Sequence, residues 1–215
     1  FPSISAGWAM TEEKFMKPLR KVLSELKLRG SFGLSGNNAI GDYNYETKMS
    51  QQSYIVDGSV VNGWAPSNIA NPDLKWEESE QLDFGLDFGF FNNALMFTVD
   101  YYKKKTKGML MKMNIPSYVG EEKPWGNVGT MENRGVEMEL AYKFSKGNWN
   151  FRVAGNLSYL ENELIEYGND TGWDNLDSFR TAGTVSRAQN GKPYPYFYGY
   201  KTYLLYTSPS PRDTR

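Results

Sequence analysis

The sequence contains no cysteine and no histidine. Without thiols there is no disulfide framework and no thiolate nucleophile or ligand. Without imidazole, the serine–histidine and cysteine–histidine arrangements of covalent catalysis cannot be assembled, and His/Cys metal sites are excluded as well. A strong charge of either sign is missing too, since 24 basic side chains meet 25 acidic ones for a net charge of -1. Nucleic acid requires a basic surface, so no nucleic-acid partner is expected. No run of about 18 apolar residues occurs, which excludes a spanning helix but not a spanning strand. A secretory leader is also missing and the chain opens at Phe1. The expectation is an internal piece of a longer exported polypeptide.

What is present is an alternation of apolar and polar residues. Leu82, Phe84, Leu86, Phe88 and Phe90 occupy one parity, while Gln81, Asp83, Gly85, Asp87 and Gly89 occupy the other. Successive strand side chains point to opposite faces, so this stretch has one apolar face and one polar or small face. Asn92-Asn93 reads as a two-residue turn, after which Leu95, Phe97, Val99 and Tyr101 alternate with Met96, Thr98, Asp100 and Tyr102. The pattern recurs over 26–36 and over 134–159, where Gly147-Asn148 marks a tight hairpin. Asp83, Asp87, Glu137, Glu139 and Arg152 all fall on the polar parity. A charged inner face suits a wet lumen better than a dry sandwich core.

Leu82 to Phe90 is eight steps at roughly 3.3 Å, about 26 Å along the strand and about 20 Å of membrane normal at a tilt of roughly 40°. Trp76 and Tyr101 at one edge, and Phe91, Phe144 and Trp149 at the other, read as interfacial aromatics. The fold expected is all-β: a partial antiparallel transmembrane β-barrel of roughly seven strands, forming a curved open sheet with long loops at one end. Those loops are expected over 36–73, 115–133 and 167–195, with a turn and a helical piece broken by Pro18 over 11–25 and a last strand over 196–204. A soluble β-sandwich binding module would show the same alternation with the Phe/Leu parity as a buried core.

Several short motifs carry a resemblance to a known family. They are Phe1-Pro-Ser-Ile-Ser-Ala-Gly-Trp8, Leu26-Lys-Leu-Arg-Gly-Ser-Phe-Gly33 with Gly36-Asn37, Leu74-Lys-Trp-Glu77, and Leu86-Asp-Phe-Gly89 with Asn92-Asn93. Phe97-Thr-Val-Asp-Tyr-Tyr102, Trp125-Gly-Asn-Val-Gly129, Asn133-Arg-Gly-Val-Glu137 and Phe197-Tyr-Gly-Tyr200 follow in order. Together they resemble the late barrel of a SusC/RagA-type TonB-dependent outer-membrane transporter. That resemblance implies a large plugged barrel of the 22-strand kind in the outer membrane of a Bacteroidetes-like bacterium. It also implies energised import of an oligosaccharide or peptide, a TonB complex acting through a part of the protein missing here, and a SusD-like surface lipoprotein as partner. A structural or adhesive barrel without transport is the competing expectation. Residues 1–203 are read as the barrel fragment, and residues 204–215, which contain Ser-Pro-Ser-Pro-Arg-Asp, as a non-native adaptor-derived tail.

No catalytic or metal-binding residue and no cofactor is assigned. Paired carboxylates at strand spacing on the inner face read as a solvated pore wall rather than a glycosidase pair. Tyr54, Trp64, Trp125 and Trp173 are loop aromatics placed to stack on a substrate or pack on a partner. Lys103, Lys104, Lys105 and Lys107 stand just beyond the outer edge of the apolar band, where they are expected to meet lipid headgroups.

Overall fold

The computed structural model describes residues 1–38, 40–169, 171–178 and 183–199. Its strands begin with β1 (Ser3–Ala9), β2 (Leu23–Asn37), β3 (Met49–Val56) and β4 (Ser59–Pro66). They continue with β5 (Glu77–Phe90), β6 (Leu95–Lys112), β7 (Trp125–Lys146) and β8 (Trp149–Glu166). Three short strands come last, β9 (Trp173–Asn175), β10 (Ser186–Gln189) and β11 (Tyr196–Phe197).

Six strands form one antiparallel sheet in the order β1-β2-β5-β6-β7-β8, open at both edges. Among the described residues this sheet has six strands, against the roughly seven expected. The seventh was expected over residues 196–204. Of these, Tyr196–Phe197 pairs with β10 instead, Tyr198 and Gly199 follow it outside any strand, and residues 200–204 lie outside the described residues, as does the 204–215 tail.

Three of the expected loops are partly strand. Residues 36–73 contain the β3–β4 hairpin, whose Asp57-Gly58 turn has φ 50° and 76° as a two-residue turn requires. Residues 125–133 belong to β7, and residues 167–195 contain β9 and β10. The turn at Asn92-Asn93 spans four residues, because Phe91, Asn92 and Asn93 are all left-handed (φ 53°, 55° and 61°) and Phe90 pairs with Leu95. The Gly147-Asn148 turn has two residues, with Lys146 paired to Trp149. Between β1 and β2 the expected helical piece is two 3-10 turns, Met10–Glu12 and Lys14–Leu19, with Pro18 inside the second.

Alternation decides what the sheet does with its faces. Leu28 lies opposite Leu86, Leu86 opposite Val99, Val99 opposite Met138, and Met138 opposite Leu157. One apolar face thus runs across five strands in register. Among the described residues nothing covers it: Phe84 is 51% exposed, Leu140 50%, Val153 66% and Leu157 68%. Among the described residues Leu164 is the one large side chain that is fully buried. A sandwich would bury this row under a second layer, so a sandwich is excluded.

The apolar row also crosses the strands at an angle. Its lower margin is Trp8 on β1 and Trp149 on β8. Trp8 maps through Leu28, Leu86 and Val99 onto Met138, eight residues short of Lys146, which faces Trp149. Eight residues are about 26 Å, and the five strand-to-strand steps about 24 Å, so the row is inclined to the strands by roughly 45°. Strands of an outer-membrane barrel tilt by about 35–45°, so the row follows one plane of a bilayer.

Candidate functional site

The inner face is a polar ladder pinned by Arg29. Its Nε donates to Asp87 Oδ2 at 2.8 Å, and its Nη2 donates to Asp87 Oδ1 at 3.0 Å and Asp100 Oδ1 at 2.9 Å. Thr98 Oγ1 adds a bond to Asp87 Oδ1 at 3.2 Å, and Ser31 Oγ donates to Asp83 Oδ2 at 3.1 Å. Farther along the sheet Arg152 Nη2 reaches Glu139 Oε1 at 3.8 Å. Gly85 makes the arrangement possible, because a Cβ there would lie 2.3 Å from Asp100 Oδ1 and 2.7 Å from Arg29 Nη2. These carboxylates are engaged as ion-pair and hydrogen-bond partners, which suits a pore wall.

On the outer face, above the apolar row, the side chains turn to charge. Lys103 Nζ pairs with Glu132 Oε1 at 2.9 Å, Lys107 Nζ with Glu80 Oε1 at 2.5 Å and Arg134 Nη2 with Glu161 Oε2 at 2.8 Å. Lys103, Lys105 and Lys107 share this face, since they oppose Leu82, Glu80 and Glu78. Lys104 opposes Gln81 and lies on the inner face. The four lysines therefore do not act as one patch.

The four aromatics are on strands, not in loops, and no ring contact joins any two of them. Tyr54 and Trp64 sit on β3 and β4, 54% and 68% exposed, with Tyr54 opposite Val61 and Trp64 opposite Gln51. Period-two alternation puts them on opposite faces of that hairpin. Trp125 opens β7, where Lys112 Nζ stands 5.9 Å from its ring centre and Asn71 Nδ2 donates to its carbonyl at 2.8 Å. Trp173 lies on β9, 4.4 Å beneath the Arg187 guanidinium, which also stacks on Tyr198 at 3.5 Å. Sequence reading had passed over Arg187. Nothing near it in the chain marks it, because its partners lie 14 residues upstream and 11 downstream.

The same upper region gathers around Asp174. Its Oδ2 accepts from Asn114 Nδ2 at 3.2 Å and from Tyr167 Oη at 3.4 Å, while Lys123 Nζ donates to Asn114 Oδ1 at 2.5 Å. Burial, reinforced by the Asp174 charge, pushes the Tyr167 phenol up to about 12. Among the described residues no group of three or more carboxylates could hold a metal ion.

An uncovered apolar face, a charged inner face, tight turns at one end and long strand-bearing segments at the other define a wall segment of a membrane β-barrel. The chain belongs to the TonB dependent receptor-like, beta-barrel family, whose model matches residues 1–212. This family consists of outer-membrane receptors, not enzymes. A TonB-dependent receptor of Formosa agariphila is 35% identical over 94% of this chain and 18% of its own length. The TonB-dependent receptor SusC of Bacteroides thetaiotaomicron is 31% identical over 96% of this chain and 21% of its own. Among solved structures, the RagAB peptide transporter superposes with a TM-score of 0.78 at 30% identity, covering 91% of this chain and 20% of that one. The chain thus spans about a fifth of the length of the relatives it matches.

Proposed function

We propose that this segment is part of the wall of an energised outer-membrane importer. In this reading the full-length receptor takes up an oligosaccharide or a peptide, works with a SusD-like surface lipoprotein, and draws energy from a TonB complex that engages a part of the polypeptide outside this segment. The observation that carries the reading is the two-faced sheet: lipid-facing Leu, Phe and Val on one side and the Arg29–Asp87–Asp100 ladder on the other. Kinship with SusC and with the RagAB peptide transporter supports the choice of cargo classes. The extracellular strands β3, β4 and β9–β11, with Tyr54, Trp64, Trp125 and Trp173, are the surfaces available for cargo or lipoprotein. Nothing in the wall does covalent chemistry.

The test compares uptake and growth of cells carrying the full-length gene with a deletion strain, over a panel of glycans and peptides. Loss of growth on one class, reproduced when the energising partner is removed, is the expected result. Unchanged growth on every substrate would remove transport and leave a structural or adhesive barrel.

A further inference from the structure

We infer that Asn127 is a positioning residue: it seats the returning limb of the 38–76 segment on a bulge of β6 and so fixes where the β3–β4 hairpin stands. The bulge lies at Gly108, which has φ 61° and is skipped by the β6–β7 register between Lys107–Thr130 and Met109–Gly129. A bulge leaves backbone groups outside the ladder, and these need partners from elsewhere. Two side chains supply them. Asn127 Nδ2 donates to the Gly108 carbonyl at 2.9 Å, and the Leu110 N–H donates to Glu77 Oε1 at 2.8 Å. Glu77 Oε2 also accepts from Asn37 Nδ2 at 2.8 Å, which pins the end of β2 to the same place.

The Asn127 amide grips the returning limb by the backbone of Lys75. Its Oδ1 accepts the Lys75 N–H and its Nδ2 donates to the Lys75 carbonyl, each at 2.7 Å. One side-chain amide thereby meets both backbone groups of a residue that no strand pairs. The hairpin forms a sheet separate from the wall and hangs from this limb. Asn68 closes its base, accepting from the Lys48 N–H at 2.6 Å and donating to the Glu46 carbonyl at 3.0 Å. The limb is then tied in turn by the Glu122 N–H to the Ser67 carbonyl, by Asn71 Nδ2 to the Trp125 carbonyl and by Asn127. On the outgoing limb, among the described residues, 40–45 hydrogen-bond only within 38–48 and add no second tether. An arm already held in place binds without the cost of being ordered first. That the arm serves cargo or lipoprotein, through Tyr54 and Trp64, rests on the import reading; its seating does not.

The test uses the full-length receptor in lipid nanodiscs, spin-labelled at Ser59→Cys on the hairpin and Ser158→Cys on β8. The distance distribution is read by double electron–electron resonance. A second pair, Ser5→Cys on β1 with Ser158→Cys, reports on the wall itself. Asn127→Ala is expected to broaden the hairpin distribution and to leave the wall distribution unchanged, and adding Asn71→Ala broadens it further. Hydrogen exchange at the Lys75 amide, which loses its acceptor, rises about tenfold in Asn127→Ala. Lys75→Ala behaves as the parent, because Asn127 holds only the backbone there. An unchanged hairpin distribution in Asn127→Ala overturns the inference. So does equal broadening of both pairs, which would make Asn127 a residue of the wall fold, or broadening by Lys75→Ala to the same extent. Because the readout is distance and not uptake, a receptor that transports nothing would refute the import reading and leave this one standing.

Discussion

Arg29 of β2 holds Asp87 of β5 through two side-by-side hydrogen bonds, 2.8 and 3.0 Å long, across 58 residues of sequence. The same guanidinium reaches Asp100 of β6, so one side chain ties three strands together on the inner face. All three groups are partly exposed, which limits the gain from pairing, yet a planar fork on a carboxylate is the strong geometry. Arg29→Ala should cost about 1–2 kcal/mol in urea unfolding of the vesicle-inserted receptor. Arg29→Lys should recover only part of it, since an ammonium cannot make both bonds.

Gly85 faces Arg29 directly across β2 and β5. A methyl group there meets the tips of Arg29 and Asp100, which are flexible, so the side chains will give way before the backbone does. Gly85→Ala is expected to break the Arg29–Asp100 bond while keeping the Nε bond to Asp87. A double-mutant cycle with Asp100→Asn measures this. The two substitutions together should cost less than the sum of each alone, by about 0.5–1 kcal/mol.

Lipid exposure of the Leu/Phe parity has its own measurement. Leu86 lies midway along the apolar row and Tyr159 at its upper margin. Leu86→Arg should cost about 2–4 kcal/mol of insertion stability and Tyr159→Arg about 0–1. Equal costs at the two positions would mean that no hydrocarbon gradient runs along the strand.

Tyr167 links pH to the segment that follows β8. Its phenol is pushed up to about 12 by burial and by Asp174, so the folded form keeps its proton where the unfolded chain loses it. The stabilisation is complete below the ordinary tyrosine range near 10 and is lost as pH rises toward about 12. Absorbance titration at alkaline pH should show a late phenol that is absent in Tyr167→Phe. An unchanged titration curve would remove Tyr167 from the Asp174 cluster.

Reading strands from sequence succeeded where the cause is local. Leu82, Phe84, Leu86, Phe88 and Phe90 alternate because the pleat itself has period two, and no distant contact is needed to see it. The Gly147-Asn148 hairpin is equally local, with Gly147 supplying φ 59°. The β3–β4 hairpin was within reach, since Tyr-Ile-Val-Asp-Gly-Ser-Val-Val places Asp-Gly between β-formers, but the polar composition around it outweighed that signal. Asn92-Asn93 misled because two turn-forming residues in a row do not reveal that Phe91 joins them in the left-handed region.

The sequence by itself determined which side chains share a face, because that follows from neighbours two residues apart, and so it determined that one face is apolar and the other charged. Only the tertiary structure decided the register between strands. That register set the inclination of the apolar row, turned Lys104 away from Lys103, Lys105 and Lys107, and brought Arg29 onto Asp87 and Asp100. The physical reason is that an interstrand contact depends on how far each strand slides along the next, and that offset is set by the turns and by the whole sheet together.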